Sequence, residues 1–509
     1  VARAGGRAQR GRLYTLTAFF AGVGLLLAYR LADVQLLQHQ HLTALAHEAH
    51  FQTETIPAQR GTLLDTNGHP LAVSVLYDSV QVVGSEVVDL GRTAASLGRV
   101  LDLSPEDVLA RIDPNSKTIV PLRSRLSSAT AAQIESLHLP GVYLRKQPAR
   151  QYPEGSIASQ VLGFVGVDAK GLAGVELSYE EELAGRAGLV QSERDTIGQE
   201  IALGQRVLME PRHGADVVLT IDRFVQRLAE RTLTEAVAAN KASGGLILVM
   251  EPNTGALLAM ASSPTYNLAD EVLYKPGQEA LYKTVAVTNQ YEPGSVMKVV
   301  TMAAGLEEKR VTPQTTVNDT GSIEVGGANL RNWDGRANGV ITMAQLLAYS
   351  SNVGAQWVSG KLGPERFYDY IEAFGFGKPT GVRLPGEVPG MVRTPADSNW
   401  GRVDLATNSF GQGIAVTPLQ MLAAVSVIAN DGVLMRPRIV RELRDQGRVE
   451  TVQPEPVRRV ISTDTAHALS EMMTQVLQHP LIAPHRLPGY RFAGKTGTAD
   501  FPTNLGYTS

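Results

Sequence analysis

The chain has 509 residues, enough for two or three domains with real cores, and its hydrophobic (43%) and charged (19%) shares are ordinary for globular protein. A net charge of −3 and a pI near 6.4 exclude the basic footprint of a nucleic-acid binder. With no cysteine, disulfides, thiolate zinc sites and cysteine nucleophiles are excluded too.

Arg3, Arg7, Arg10 and Arg12 precede a charge-free run from Leu13 to Tyr29. That run predicts a membrane-spanning helix over 13–32, because Arg30 can snorkel and extend it through Leu31 and Ala32. Basic residues favour the cytoplasmic side, so 1–12 are expected as a cytoplasmic tail of a single-pass plasma-membrane protein, with the rest extracytoplasmic. A cleaved signal peptide is the rival, but Ala44-Leu45-Ala46 lies too far past the apolar core for normal processing. Leu31, Val34, Leu37, Leu42 and Leu45 keep helical spacing, which predicts a stalk helix over 33–55. His47-Glu48-Ala49-His50 lacks the spacing of a zincin pair and reads as solvated stalk; no metal and no cofactor are expected.

Over 56–213, short strands (71–83, 142–144) alternate with turns and helical pieces (104–112, 129–137), without a solenoid period. A further domain, 214–509, opens with a strand at 216–222, a helix at 224–240 and a strand at 245–250. The turn Pro252-Asn253-Thr254-Gly255 then returns the chain along 256–262. Helices are predicted at 343–362, 364–374 and 418–429. The fold class expected is α/β (α+β), an antiparallel sheet flanked by helices.

Three strings carry the chemistry: Ser295-Val296-Met297-Lys298, Ser350-Ser351-Asn352 and Lys495-Thr496-Gly497. A serine hydroxyl needs an adjacent base to attack a carbonyl. Pro293-Gly294 turns the chain into an apolar helix, so Ser295 sits at its start and Lys298 one turn on, on the same face. Lys298 serves as base only when neutral, and burial together with a second cation, Lys495, pushes it that way. Ser350 is placed to relay a proton and Asn352 to hold the substrate backbone. Phe492 to Thr498 reads as an edge strand on which Gly497 lets a ligand lie close. Thr496 and Thr498 would bind the substrate carboxylate with Lys495, and the N–H groups of Ser295 and Thr498 would form an oxyanion hole. Tyr266 and Trp333 are candidates to wall the cleft, with packing the preferred reading for both.

In this order the strings match the S-x-x-K, S-x-N, K-T-G set of penicillin-binding proteins and serine β-lactamases. The chain resembles the class B penicillin-binding proteins, the monofunctional D,D-transpeptidases that cross-link peptidoglycan. Further strings carry the resemblance: Arg60-Gly61-Thr62-Leu63-Leu64-Asp65-Thr66-Asn67-Gly68, Tyr152-Pro153-Glu154-Gly155, Gly171-Leu172-Ala173-Gly174-Val175-Glu176, Arg194-Asp195, Tyr291-Glu292-Pro293-Gly294 and Leu384-Pro385-Gly386-Glu387. The string from Ser409 to Gln420 resembles the division-specific (FtsI-type) branch. The resemblance implies that 56–213 is a non-catalytic, dimerisation-type pedestal and 214–509 the transpeptidase domain. It implies peptidoglycan stem peptides as substrates and β-lactam antibiotics as ligands. The implied partners are a SEDS-type glycosyltransferase, other division proteins and the membrane. It also implies two more strands and a closing helix after Thr498, where eleven residues remain, so a chain truncated at its C-terminus is expected. Two alternatives stand beside the transpeptidase: a β-lactam sensor or β-lactamase-like acyl-serine protein, and an inactive division scaffold.

Overall fold

A computed structural model describes residues 5–43, 51–193, 206–270, 274–478, 488–499, 501–503 and 506–508. It divides into two compact units, 1–58 with 186–213 and 59–185 with 214–509. In the first, helix α1 (Gly5–Ala32) runs on through a π-helical turn at Asp33–Leu37. The stretch Arg12–Leu37 is long and apolar enough to cross a membrane. Leu13, Phe19, Phe20, Leu25 and Leu26 are all exposed along it, so no protein core accounts for its apolar surface.

The expected stalk helix over 33–55 is helical at 33–37 and 39–43 and is corrected at 51–55, where the chain is a strand. Strand β1 (Phe51–Ile56) forms a three-stranded antiparallel sheet with two later strands of the same unit, 188–193 and 206–209. The sequence Phe-Gln-Thr-Glu-Thr-Ile alternates and holds β-branched residues, which suit a pleated surface better than a helix. Ala44 to Ala46, His47, His50, Arg194 and Asp195 lie outside the described residues.

In the second unit, strands β2 (Leu63–Leu64), β3 (Pro70–Val83), β4 (Ile119–Leu126) and β5 (Val142–Gln151) lie in one sheet. Helices α2 (Leu90–Leu101), α3 (Pro105–Arg111) and α4 (Ser128–Ser136) pack on it. Asp89, Ser104 and Ser127 cap the three helices, each accepting from a backbone N–H three residues on. Val80 and Val82 on β3 meet Ala94, Leu97, Leu101, Val108 and Ile134 from the helices in one buried cluster.

The sheet does not end at the expected domain boundary between 213 and 214. Strand β6 (Asp216–Leu219) lies parallel to β2, Leu63 opposite Val217, and its other edge pairs with residues 440–445. Gly61 permits this approach, since a Cβ there would lie 1.9 Å from the Ala215 carbonyl oxygen. Three of the strings noted above meet beside this junction through Arg60, Tyr152 and Glu176, the Tyr152 hydroxyl donating to Glu176 Oε1 at 3.4 Å. Glu176 is fully buried and takes Arg60 Nε at 2.6 Å on one oxygen and Arg150 Nε at 2.7 Å on the other. Glu180 pairs with Arg60 as well, at 2.6 Å, so each buried charge is compensated.

Asp222 caps α5 (Arg223–Asn240), which packs on the antiparallel hairpin β7 (Gly245–Glu251) and β8 (Ala256–Ser263). Helix α6 (Lys298–Glu307) is buried over nearly its whole length and centres the largest core. The single helix expected over 343–362 is two, α7 (Met343–Tyr349) and α8 (Asn352–Leu362). Ser350 breaks them at a left-handed φ of 60°, and Ser351 caps the second by accepting from Gly354 N. The edge strand expected at Phe492 to Thr498 is also corrected, since no described strand pairs with it and no ladder forms. Tyr266 packs between Phe164 and Tyr282, and its hydroxyl donates to the Ser159 carbonyl at 2.9 Å. Trp333 is not packed; it is 74% exposed.

Candidate active site

All three motifs converge within the second unit. The turn at 293–294 leads into a 3₁₀ turn over 294–297, so Ser295 precedes α6 and Lys298 opens it. The string 409–417 backs this turn. Gly294 N donates to Gly411 O at 3.0 Å, Gly413 N to Glu292 Oε1 at 2.9 Å, and Tyr291 pairs with Val416. The segment carrying Lys495 lies along the same turn. A Cβ on Gly294 would stand 2.4 Å from the Thr498 carbonyl oxygen, and one on Gly497 would stand 2.7 Å from Val296 Cγ2. The missing side chain of Gly497 therefore makes room for Val296, where the sequence pointed to room for a ligand. Thr496 and Thr498 are exposed beside it.

Lys298 is 1% exposed, and its Nζ has four oxygen neighbours. Ser350 O and Asn352 Oδ1 lie at 2.6 Å each, Ser295 Oγ at 3.0 Å and Ser350 Oγ at 3.2 Å. The two closest are pure acceptors. A neutral amine has two N–H bonds and one lone pair, so satisfying these acceptors leaves the lone pair for a hydroxyl proton. Burial, and then the charge of Lys495, hold the Lys298 ammonium well below the ordinary lysine range, while Asp319 pulls in the opposite direction. Lys495 Nζ donates to Ser350 Oγ at 2.9 Å and to its neighbour's carbonyl, Thr496 O, at 2.8 Å. Burial brings Lys495 itself down to about 8. The Ser350 hydroxyl thus bridges the two lysines.

Asn352 was expected to offer its amide to a substrate. Here Oδ1 faces Lys298 and Nδ2 donates to Arg331 O at 2.7 Å, so one N–H of that amide is left for a ligand. Sequence reasoning missed the layer beneath. Asp319, Asn332 and Ser351 are all buried and hydrogen-bonded below the second motif. Ser351 was at least visible as the middle residue of the motif, whereas Asp319 and Asn332 had no spacing that tied them to it. Among the described residues, no group of three or more His, Asp and Glu could hold a metal ion.

Comparisons with known proteins bear on the family of the chain. The penicillin binding protein transpeptidase domain matches residues 245–509, and the penicillin-binding protein dimerisation domain matches residues 55–219. Stage V sporulation protein D of Bacillus subtilis is 35% identical over 497 residues, covering 96% of this chain and 76% of that protein. Peptidoglycan D,D-transpeptidase FtsI of Escherichia coli is 31% identical, covering 92% of this chain and 78% of that one. The crystal structure of penicillin binding protein 3 from Mycobacterium tuberculosis, complexed with aztreonam, superposes with a TM-score of 0.68 at 29% identity. It covers 89% of this chain and 85% of that structure's. With a dimerisation domain ahead of a transpeptidase domain, the chain belongs to the class B penicillin-binding proteins.

Proposed function

We propose that the chain is a serine D,D-transpeptidase that cross-links peptidoglycan stem peptides and is acylated by β-lactams. The observation that carries this reading is the Lys298 amine, buried and 3.0 Å from the Ser295 hydroxyl, with two acceptors already holding its N–H bonds. Neutral Lys298 takes the Ser295 proton as Oγ attacks the carbonyl of the penultimate D-alanine. The N–H groups of Ser295 and Thr498 hold the oxyanion, a contribution of about 2.7–4 kcal/mol per donor. The C–N bond breaks, and the leaving amine takes its proton through Ser350 from the Lys298 side. An amine of a second stem peptide then displaces the acyl group from Ser295, and the serine regains its proton. Lys495, Thr496 and Thr498 anchor the terminal carboxylate, with Gly497 letting their segment pack against the nucleophile's turn.

Residues 13–32 would anchor the protein with 1–12 in the cytoplasm and the catalytic domain outside. The pedestal at 56–213 and the anchor would meet a SEDS-type glycosyltransferase, as the class B resemblance implies. The string 409–420 supports septal rather than side-wall synthesis. For a hydrolase reading, water would need a free carboxylate, and Asp319 has its oxygens taken up by amide, hydroxyl and backbone donors.

Fluorescent penicillin should label the full chain at Ser295, and the acyl-enzyme should persist. Ser295→Ala should abolish labelling, and Lys298→Ala should slow it by orders of magnitude. Labelling that survives Ser295→Ala would sink the assignment; rapid turnover of the drug would turn it into a hydrolase.

A further inference from the structure

Asp319 closes strand β9 (Thr316–Asp319), has no exposed surface and takes only neutral donors. Gly321 N donates to it at 2.9 Å, Asn332 Nδ2 at 2.8 and 2.9 Å, and Asn338 Nδ2 at 2.6 Å. The Ser351 hydroxyl is a further donor. Burying a carboxylate without a cation is costly, so a cluster of donors this complete calls for a purpose.

Asn332 conveys that fixed carboxylate to the second motif. With Nδ2 committed to Asp319 and to Arg336 O (2.9 Å), its Oδ1 must face away. There it accepts from Asn352 N at 2.9 Å and Val353 N at 3.3 Å, the first free N–H groups of α8. The preceding residue, Arg331, presents its carbonyl to Asn352 Nδ2. That bond sets the amide's direction: Nδ2 toward Arg331, Oδ1 toward Lys298. Turned over, the amide would aim N–H at Lys298 and compete with Ser295 for the amine lone pair.

We propose that Asp319 is a positioning residue for Lys298, acting through Asn332 to hold the Asn352 amide with its oxygen toward the amine. The inference rests on the acyl-serine reading, in which Lys298 is the base. The charges facing Lys298 are Lys495, from the segment 491–499, and Asp319, at the end of β9. Asp319 favours the ammonium form, so its neutral replacement should ease deprotonation of Lys298.

The test is penicillin acylation of the full chain, with binding and acylation constants separated by time courses across pH and with thermal melting alongside. Asn332→Ala leaves three kinds of donor on Asp319 and should still fold. Its acylation constant should fall roughly 10- to 100-fold, as for a lost outer-shell partner, with the binding constant unchanged. Asp319→Asn should move the acid limb of the acylation profile to lower pH, which a merely structural role would leave in place. A wild-type acylation constant in Asn332→Ala, a loss confined to binding, or an unmoved acid limb in folded Asp319→Asn would overturn the proposal. If Asp319→Asn does not fold, Asn332→Ala decides alone. Because wild-type labelling and its loss in Ser295→Ala are measured in parallel, failure of this inference is distinct from failure of the acyl-serine reading.

Discussion

Ser350→Ala isolates the bridge between the two lysines. The variant loses the hydroxyl that lies 3.2 Å from Lys298 Nζ and 2.9 Å from Lys495 Nζ. It keeps the backbone carbonyl of residue 350 and the Asn352 oxygen, both 2.6 Å from Lys298, so the amine has no reason to move. Lys495 likewise keeps the Thr496 carbonyl at 2.8 Å. Position 350 is left-handed, and alanine meets the same steric conflict there that serine already bears, so melting should stay near wild-type. What disappears is a proton path and one hydrogen bond to a charged group, worth about 1.5–3 kcal/mol. At about 1.36 kcal/mol per decade, acylation should slow roughly 10- to 150-fold. Stopped-flow acylation with a fluorescent penicillin measures it directly. A wild-type rate would refute the bridge, and a loss accompanied by an equal loss of folded protein would refute the claim that Lys298 stays in place.

Glu176→Gln keeps the shape but leaves two buried guanidiniums without their shared carboxylate. Breaking a buried pair in this way costs about 3–5 kcal/mol, which a denaturant titration of residues 51–509 would read as a lowered midpoint at unchanged slope. Both active-site lysines hold fewer protons in the fold than in the unfolded chain, where each titrates near 10.5. Stability from them is therefore full above that value and falls as the pH drops, with the Lys495 share gone below about 8 and the Lys298 share persisting further down. Lys495→Met should flatten the alkaline part of a melting-temperature profile, and an unchanged slope would contradict the burial of that amine. Gly294→Ala must hold a side chain at φ 55° and 2.4 Å from the Thr498 carbonyl. Displacing that segment by about 1 Å would slow labelling on the order of 100-fold, and normal labelling would mean the contact is dispensable.

The grouping of side chains was legible wherever it is local. Ser295 and Lys298 are one turn apart in the sequence, and the structure holds Lys298 Nζ 3.0 Å from Ser295 Oγ. The helix boundaries at 105–111, 223–240 and 418–429 were legible because caps and proline mark them. The break at Ser350 was not, since apolar spacing continues across it and only the left-handed turn separates the two helices. Asp319 and Asn332 were invisible for a different reason. They reach Lys298 through amide directions and a carbonyl, and no spacing rule encodes which way an asparagine faces. The strand at 51–56 was lost to a helical pattern that ran into it, although its alternation was there to be read. Gly497 was read as leaving room for a ligand, and that Val296 lies against it instead is a tertiary fact.

The parallel pairing of residues 63–64 with 217–218, and of that strand in turn with 440–445, bears on how the chain is made. During synthesis the antiparallel pair of 70–83 and 142–151 can close first, because only residues 84–141 separate its members. The short strand before it must wait for more than a hundred further residues, and the next strand for still more, before this sheet has all its members. Until then an open edge with Leu63 and Val217 uncovered stands ready to pair with a neighbouring nascent chain. Cutting at residue 213 to obtain a catalytic fragment would make that transient condition permanent. A soluble fragment should therefore begin before Arg60, and one begun at Gly214 should aggregate unless residues 59–185 are supplied in trans.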